Sequence, residues 1–378
     1  MARVNVERTY FTYEAFVFIT VFTLLFMVTN IFMIDYRNIQ SLVSSQDPFM
    51  ILILAAILVF LYKNARISLS PLRKIFLTLW GFYVGSLFLS MIVAAHFVWT
   101  EALVLLMVTA VLFYRVPGRL VVYLIIGALI SLPALLLIDH TLNESGATLV
   151  LVFTAGLLIM TRTNRAMIFY MLPTFLVLNL ITTSRTALIT YVFIAFLQLA
   201  WINLYRTPMK QKNWFIGIVT GGFAIVLLVF GRTIYQFFVG SSLEGGGFSW
   251  NDFTSKRYEL WATVWHNKQW LGEGHAYFNF TELLHAHNIF FDTLGRYGII
   301  PLILFILVLG AVCLLSMTKY TLGILLYFGA YIFIGMFEYN YLFMFVYFSP
   351  IVLLFIFMAY ILTFREDHMY KEALKPSE

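Results

Sequence analysis

The chain has 378 residues, of which 62% are hydrophobic and only 11% are charged, and its formal net charge is +6. Soluble domains hold about 25% charged residues, so this composition excludes an ordinary soluble enzyme and predicts an integral membrane protein. The single cysteine, Cys313, excludes an internal disulfide, a thiolate metal cluster and a redox pair.

Apolar runs that are long enough to cross a bilayer recur along the chain. The first run is too long for a cleavable signal peptide, so we expect it to remain as a signal anchor. We predict one all-α polytopic membrane domain over residues 1–378, with one long connection at residues 232–297. The twelve predicted spans are residues 13–34, 49–62, 75–95, 99–114, 119–138, 147–160, 166–182, 186–204, 214–231, 298–317, 320–337 and 341–363.

Lys and Arg residues alternate between the two sets of predicted helix ends. One set, which includes both termini, holds 17 of the 24 basic residues. Positive residues are retained on the cytoplasmic side, so we predict cytoplasmic termini and an extracytoplasmic segment 232–297. The net charge then reflects topology, and nucleic acid is not an expected partner. The histidines predicted at outer ends are His96, His140, His266, His275, His285 and His287.

The long segment 232–297 is where we expect function to concentrate, because long loops carry binding and catalytic residues. The pattern predicts a helix over residues 252–268 whose aromatic face, with Trp261 and Trp265, lies at the membrane interface. The turn Leu271-Gly272-Glu273-Gly274 would let backbone approach a ligand closely. Glu273 is a candidate base or a hydrogen-bond partner for a sugar.

Two arginines in outer segments are candidates for binding an anion. Arg185 follows the seventh predicted span in Thr183-Ser184-Arg185-Thr186, and Arg257 precedes Trp261. The alternatives are that Arg185 reaches lipid headgroups and that Arg257 lies on a solvated helix face. Positive residues are otherwise sparse at these ends, which favours an anionic ligand. A guanidinium suits phosphate because it stays charged and binds two oxygens at once.

The segment ends in His285-Ala286-His287-Asn288, followed by Arg296. His287 is a candidate base because the ordinary histidine pKa of about 6.5 allows proton uptake near neutral pH. The alternative is an interfacial histidine bonded to a backbone carbonyl. On a helix the two imidazoles would point about 200° apart, which disfavours joint metal binding, whereas an extended backbone would reverse that argument. Arg296 is expected to pair with Asp292 one helical turn earlier.

These motifs together resemble the O-antigen ligase and Wzy-type polysaccharide polymerase superfamily. The similarity rests on four sequences in order: Ser184-Arg185, Ser255-Lys256-Arg257 before Trp261, Leu271-Gly272-Glu273-Gly274, and His287-Asn288 before Gly298. It covers residues 184–301. The chain departs from the pattern at Arg296, where the family often has an acidic residue, and at Pro301, which replaces a second glycine.

The resemblance implies a GT-C-like membrane glycosyltransferase of the bacterial cytoplasmic membrane that needs no metal or cofactor. Its donor would be an undecaprenyl-pyrophosphate-linked oligosaccharide, transferred with inversion to a hydroxyl of a glycan acceptor at the outer face. Arg185 and Arg257 would hold the pyrophosphate, and His287 would act as base or orient the acceptor. The further substrate-binding residues would be Ser184, Trp261, Glu273, His285, Asn288 and Arg296. A flippase and a chain-length regulator are expected partners.

Within the superfamily, we favour a polymerase that builds capsule, exopolysaccharide or cell-wall polysaccharide over a ligase that transfers the glycan to another acceptor. A twelve-span transporter or flippase is the alternative from another class, although its charged groups would be expected near the bilayer midplane. A membrane acyltransferase and a structural assembly factor are further alternatives. We expect segment 232–297 to determine the sugar specificity.

Overall fold

The computed structural model is an all-helical protein within its described residues. These residues are 13–32, 43–136, 142–163, 184, 186–194, 257–274, 277–278, 285–318, 321–337 and 348–373. The named helices are α1 (Tyr13–Phe32), α2 (Val43–Asn64), α3 (Pro71–Val93), α4 (Trp99–Phe113), α5 (Gly118–Ser131), α6 (Leu142–Thr163), α7 (Arg257–His266), α8 (Ile289–Tyr297), α9 (Ile299–Ser316), α10 (Leu322–Gly335) and α11 (Phe348–Ala373). A 3₁₀ turn, Leu132–Leu136, continues α5, and residues 186–194 are also helical.

Four helical segments are long and apolar enough to cross a membrane: Tyr13–Asn30, Pro71–Val93, Gly118–Leu135 and Ile299–Ser316. Shorter apolar helices accompany them, so the chain is a membrane-embedded helical protein. Nine of the twelve predicted spans fall on named helices. The predicted spans 166–182 and 214–231 lie outside the described residues, as does the second half of the predicted span 186–204.

Helix α11 lies at the centre of the bundle. Every residue from Ile351 to Leu362 is buried, and α11 contacts α1 to α6, α9 and α10. A helix that is apolar on all sides is stable only when other helices surround it or lipid does. Around α11, α1 packs on α5, α2 on α4, α3 on α9 and α6 on α10. Gly127 of α5 allows a close approach, because a Cβ there would lie 2.9 Å from the Cβ of Phe22.

Helix ends meet in two separate groups. In the first group, the buried Arg73 of α3 donates to Glu366 of α11 at 2.7 Å and to the carbonyl of Leu112 at 3.0 Å. Arg115, in the connection between α4 and α5, lies 3.8 Å from Glu366, and Arg119 at the start of α5 pairs with Glu14 at 3.3 Å. These ends all belong to the set that the sequence assigns to the cytoplasm.

The second group joins ends that the sequence assigns to the outer face. Tyr297 of α8 donates to the buried Glu101 of α4 at 3.0 Å. A Cβ at Gly274 would lie 3.2 Å from the Cβ of His96, so the turn after α7 lies against the connection between α3 and α4. Arg257 at the start of α7 donates to the carbonyl of Phe337, just after α10. The described parts of segment 232–297 therefore pack onto this end of the bundle.

Candidate functional site

Helices α7 and α8 form the frame of the candidate site. They enclose a small apolar cluster whose buried members are Leu260, Val264, Tyr277, Phe278, Ala286 and Leu294. Trp261 stacks on Phe291 with ring centroids 5.5 Å apart and an interplanar angle of 3°. Trp261 thus faces the protein, whereas Trp265 on the same helix is 54% exposed. The aromatic face expected at the membrane interface is divided between these two environments.

Asn288 begins α8. Its Oδ1 accepts from the backbone N–H groups of Phe290 at 2.9 Å and Phe291 at 3.2 Å, which is the N-cap arrangement that Asn favours. Its Nδ2 donates to the carbonyl of Met336 at 3.0 Å, which ties the start of α8 to the end of α10. Both polar atoms of a predicted substrate-binding side chain are therefore engaged within the protein.

The residues His285–Asn288, which we call the histidine loop, precede α8 and are not helical. The imidazoles of His285 and His287 are brought together, with ring centroids 3.9 Å apart and planes at 65°. His287 adopts a left-handed backbone conformation with φ of 50°. The two imidazoles therefore do not point about 200° apart as they would on a helix, because the chain turns at His287 before α8 begins.

The peptide groups of Ala286 hold the middle of the histidine loop from two sides. The Ala286 carbonyl accepts from Trp261 Nε1 at 2.7 Å, and the Ala286 N–H donates to Asp292 Oδ1 at 2.9 Å. Trp261 belongs to α7 and Asp292 to α8. The loop conformation is therefore fixed by both helices of the frame.

Burial and positive charge keep both imidazoles neutral. Burial, followed by the charge of Arg257, lowers the pKa of His287 to about 3. Burial, followed by His287, Arg296 and Arg257, moves the pKa of His285 far below its ordinary value. The two histidines therefore carry no charge near pH 7, and the charge of Arg257 acts on His287. Among the described residues, no group of three or more His, Cys, Asp or Glu side chains could hold a metal.

Asp292 and Arg296 form the helical ion pair that their spacing predicts. Arg296 Nε lies 3.9 Å from Asp292 Oδ1, and both side chains are buried. Burial raises the pKa of Asp292 to about 6, against the opposing effects of Arg296 and of backbone N–H donors. The Arg296 guanidinium also lies over the Phe278 ring, 5.2 Å from its centroid. These contacts engage Arg296 within the protein, and its substrate-binding role stays a prediction.

Gly272, in the turn after α7, and Gly298, between α8 and α9, allow their backbones to pack closely against each other's neighbours. A Cβ at Gly272 would lie 2.3 Å from the carbonyl oxygen of Arg296, and a Cβ at Gly298 would lie 2.6 Å from that of Trp270. Gly298 also has φ of 97°, a conformation that disfavours other residues. The close approach predicted for a ligand is occupied here by the junction between α8 and α9. Glu273 is exposed on this turn and accepts from Gln269 Nε2 at 2.6 Å.

The structure thus brings five of the predicted site residues together at the histidine loop, and the three other described ones lie on α8, on the turn after α7 and at the start of the helical residues 186–194. Three of the five, His285, His287 and Asn288, belong to the histidine loop itself. Trp261 donates to the carbonyl of Ala286 in that loop, and the charge of Arg257 acts on His287. Arg296 pairs with Asp292 and its charge also acts on His285, and Glu273 lies on the turn after α7. Ser184 is buried at the start of the helical residues 186–194, where its Oγ accepts from the N–H of Ala187 at 3.3 Å. Arg185 lies outside the described residues.

Sequence reasoning missed four groups that contribute to the site or to its frame. They are the contact of Asp292 with Ala286, the carbonyls of Met336 and Phe337 after α10, and the buried acceptor Glu101. Only Asp292 has a sequence signal, since an acidic residue in the first turn of a helix often binds N–H groups just upstream. The two backbone carbonyls give no sequence signal, because every residue type has one.

Comparisons of the chain with models of protein families, with curated proteins and with solved structures give no match. The resemblance to the ligase and polymerase superfamily therefore rests on the motifs and their order along the chain.

Proposed function

We propose that this chain is a bacterial polysaccharide polymerase of the cytoplasmic membrane. It would join undecaprenyl-pyrophosphate-linked oligosaccharide repeat units at the outer membrane face by metal-independent, inverting glycosyl transfer. The proposal includes a GT-C-like bundle of twelve spans with both termini in the cytoplasm. The observation that carries it is the proximity of Arg257 to the neutral, conformationally constrained His287 at one end of an apolar helical bundle.

In the proposed reaction, the acceptor hydroxyl oxygen forms a bond to the anomeric carbon while the bond from that carbon to the pyrophosphate oxygen breaks. The electron pair of the broken bond leaves with undecaprenyl pyrophosphate, whose growing charge Arg257 would stabilise. Arg185 would share this role on the strength of the resemblance. His287 would accept the proton from the acceptor hydroxyl, and its imidazole is unprotonated near pH 7.

Donor binding would also raise the basicity of His287. The charge of Arg257 lowers the pKa of His287, because two positive charges repel each other at short range. A bound pyrophosphate would offset that charge and so favour the protonated imidazole. His287 would become a stronger base only when the donor is in place, which would limit proton removal to the complete complex.

The test is a purified-protein assay with undecaprenyl-pyrophosphate-linked oligosaccharide in the presence of EDTA. We expect release of undecaprenyl pyrophosphate and a ladder of longer lipid-linked glycans. His287→Ala should abolish the ladder. His266→Ala is the matched control, because His266 is exposed on α7 and its ring contacts the carbonyl of Ala262.

The other outcomes separate the alternatives. Lipid release only after addition of a different acceptor would identify a ligase. Binding of the lipid-linked glycan without any turnover, in wild type and variants alike, would contradict the polymerase and favour transport. A full ladder from His287→Ala would remove His287 from the reaction.

A further inference from the structure

Asp292 is a fully buried carboxylate, one oxygen of which, Oδ2, has no hydrogen-bond partner among the described residues. Burying a carboxylate is costly unless it is paired and hydrogen-bonded. Its ion pair with Arg296, at 3.9 Å, is longer than a direct hydrogen bond. The Asp292 Oδ1 accepts from the N–H of Ala286 at 2.9 Å, and the backbone N–H of Asn288 also acts on the carboxylate.

That contact acts on the residue between the two histidines. The Ala286 N–H is held by Asp292, and the Ala286 carbonyl is held by Trp261 Nε1 at 2.7 Å. The two peptide planes that flank Ala286 are thus fixed by side chains from different helices. These planes set the directions in which the imidazoles of His285 and His287 leave the backbone.

The conformation of His287 requires such support. A left-handed φ of 50° is uncommon for residues other than glycine and persists only where neighbouring contacts impose it. On the carboxyl side of His287, Asn288 is tied to the carbonyl of Met336 at 3.0 Å. Arg257 is tied to the next carbonyl, that of Phe337. Asn288, next to His287, and Arg257 are therefore tied to adjacent carbonyls at the end of α10.

We infer that Asp292 is a positioning residue, which together with Trp261 fixes the peptide groups of Ala286 and thereby holds the imidazole of His287 beside Arg257. Asp292 would not touch the substrate. It would act through the histidine loop, and its importance for turnover rests on the proposed glycosyl transfer. Its effect on the geometry of the loop is independent of that proposal.

The experiment compares wild type with Asp292→Ala, Asp292→Asn and Thr293→Val. Asp292→Asn keeps an oxygen that can accept from the Ala286 N–H. Thr293→Val is the matched control, because Thr293 is a buried neighbour on α8 whose hydroxyl bonds to the carbonyl of Ile289 within its own helix. Trp261→Phe keeps an aromatic ring against Phe291 and removes only the donor to Ala286, so it tests the same clamp if Asp292→Ala does not fold.

The first readout does not depend on enzyme activity. Diethyl pyrocarbonate acylates neutral imidazoles, and mass spectrometry of the peptide that contains His285 and His287 gives the rate. His285 is only 8% exposed, so its modification in wild type should be slow. We expect Asp292→Ala and Trp261→Phe to raise the rate at least severalfold, and Asp292→Asn and Thr293→Val to stay near wild type.

The second readout is the steady-state kinetics of glycan polymerisation. A displacement of about 1 Å in a reacting group can lower turnover about 100-fold, so kcat of Asp292→Ala should fall by that order while KM changes little. Asp292→Asn should recover most of the kcat. Wild-type modification rates together with wild-type kcat in Asp292→Ala would overturn the inference, as would an equal change in Thr293→Val. If wild type does not polymerise the glycan, the proposed function fails while the modification rates still decide the role of Asp292.

Discussion

At the scale of single residues, the site depends on one guanidinium beside two neutral imidazoles. Arg257 acts on both histidines, and burial keeps both unprotonated. A fixed cation next to a fixed neutral base is suited to an anionic leaving group and a hydroxyl acceptor. It is poorly suited to a cationic ligand, because Arg257 and Arg296 would both repel it.

Substitution of Arg257 tests this arrangement. We expect Arg257→Ala to lower kcat/KM about 100-fold to 1,000-fold, because loss of one preorganised donor to a developing charge typically costs about 3 to 4 kcal/mol. Arg257→Lys should also be impaired, since an ammonium cannot form the bidentate contact. Lys268→Ala is the control, because Lys268 is an exposed cation in the same segment. Polymerisation assays on the purified variants measure the effect, and full activity of Arg257→Ala would exclude a role in leaving-group stabilisation.

The raised pKa of Asp292 predicts how its contribution to stability depends on pH. Its folded pKa is about 6 against an ordinary value of 3.8, so the folded state binds the extra proton first. The contribution of Asp292 is thus greatest below pH 3.8 and is lost as the pH rises through 6. Asp292→Asn lacks this pH-dependent contribution to stability, because an amide does not titrate. On going from pH 7 to pH 4, wild type should gain about 2 to 3 kcal/mol relative to the variant.

Thermal unfolding in detergent at several pH values measures that difference. Burial of His287 has the opposite sign, because a lowered folded pKa costs stability as the pH falls below about 6.5. Both proteins contain His287, so its contribution to the free energy of unfolding cancels when wild type is compared with Asp292→Asn. A difference that does not change between pH 7 and pH 4 would mean that Asp292 titrates normally.

At the scale of elements, the junction between α8 and α9 depends on the conformation of Gly298. Gly298→Ala combines a φ of 97° with a clash at 2.6 Å against the carbonyl of Trp270, so it should displace α8 and the histidine loop. Gly310→Ala is the matched control within α9, because a Cβ there meets nothing within 4 Å. We expect Gly298→Ala to lose thermal stability and polymerisation together, whereas Gly310→Ala should match wild type. Equal melting temperatures for the two variants would contradict this account.

Elements and local pairs were largely predictable from the sequence. Apolar runs predicted nine of the eleven named helices, the spacing of Asp292 and Arg296 predicted their ion pair, and the apolar run that starts at Gly298 predicted the start of α9. Local periodicity determines each of these. The clamp on Ala286 and the tie from Asn288 to Met336 were not predictable, because they join residues whose neighbours are set by the tertiary fold.

The His pair illustrates the same limit. Imidazoles two residues apart point away from each other on a helix but can meet at a turn. The left-handed φ of His287 shows that the chain turns here. The positive residues illustrate another limit. Arg73 counts towards the cytoplasmic side by sequence, yet it is also fully buried and bonded to Glu366, so its charge has a packing role as well.

At the scale of the whole molecule, the two groups of helix ends give the bundle opposite faces. Arg73, Arg119 and Glu366 belong to one group, and Arg257 with the histidine loop belongs to the other. The excess of positive charge at the first group predicts that it faces the cytoplasm, which would place the candidate site at the outer face. A lipid-linked glycan displayed at the outer face could reach Arg257 only in this orientation.

The single cysteine makes that orientation directly measurable. In a Cys313→Ser background, Lys268→Cys and Lys74→Cys each place one thiol on an exposed position, the first beside α7 and the second in the first turn of α3. A membrane-impermeant maleimide should label Lys268→Cys in intact cells and Lys74→Cys only after permeabilisation, because a charged reagent cannot cross the bilayer. The reverse pattern would place the histidine loop in the cytoplasm, where an extracytoplasmic lipid-linked glycan could not reach it, and would exclude the proposed polymerase whatever the roles of Arg257 and His287.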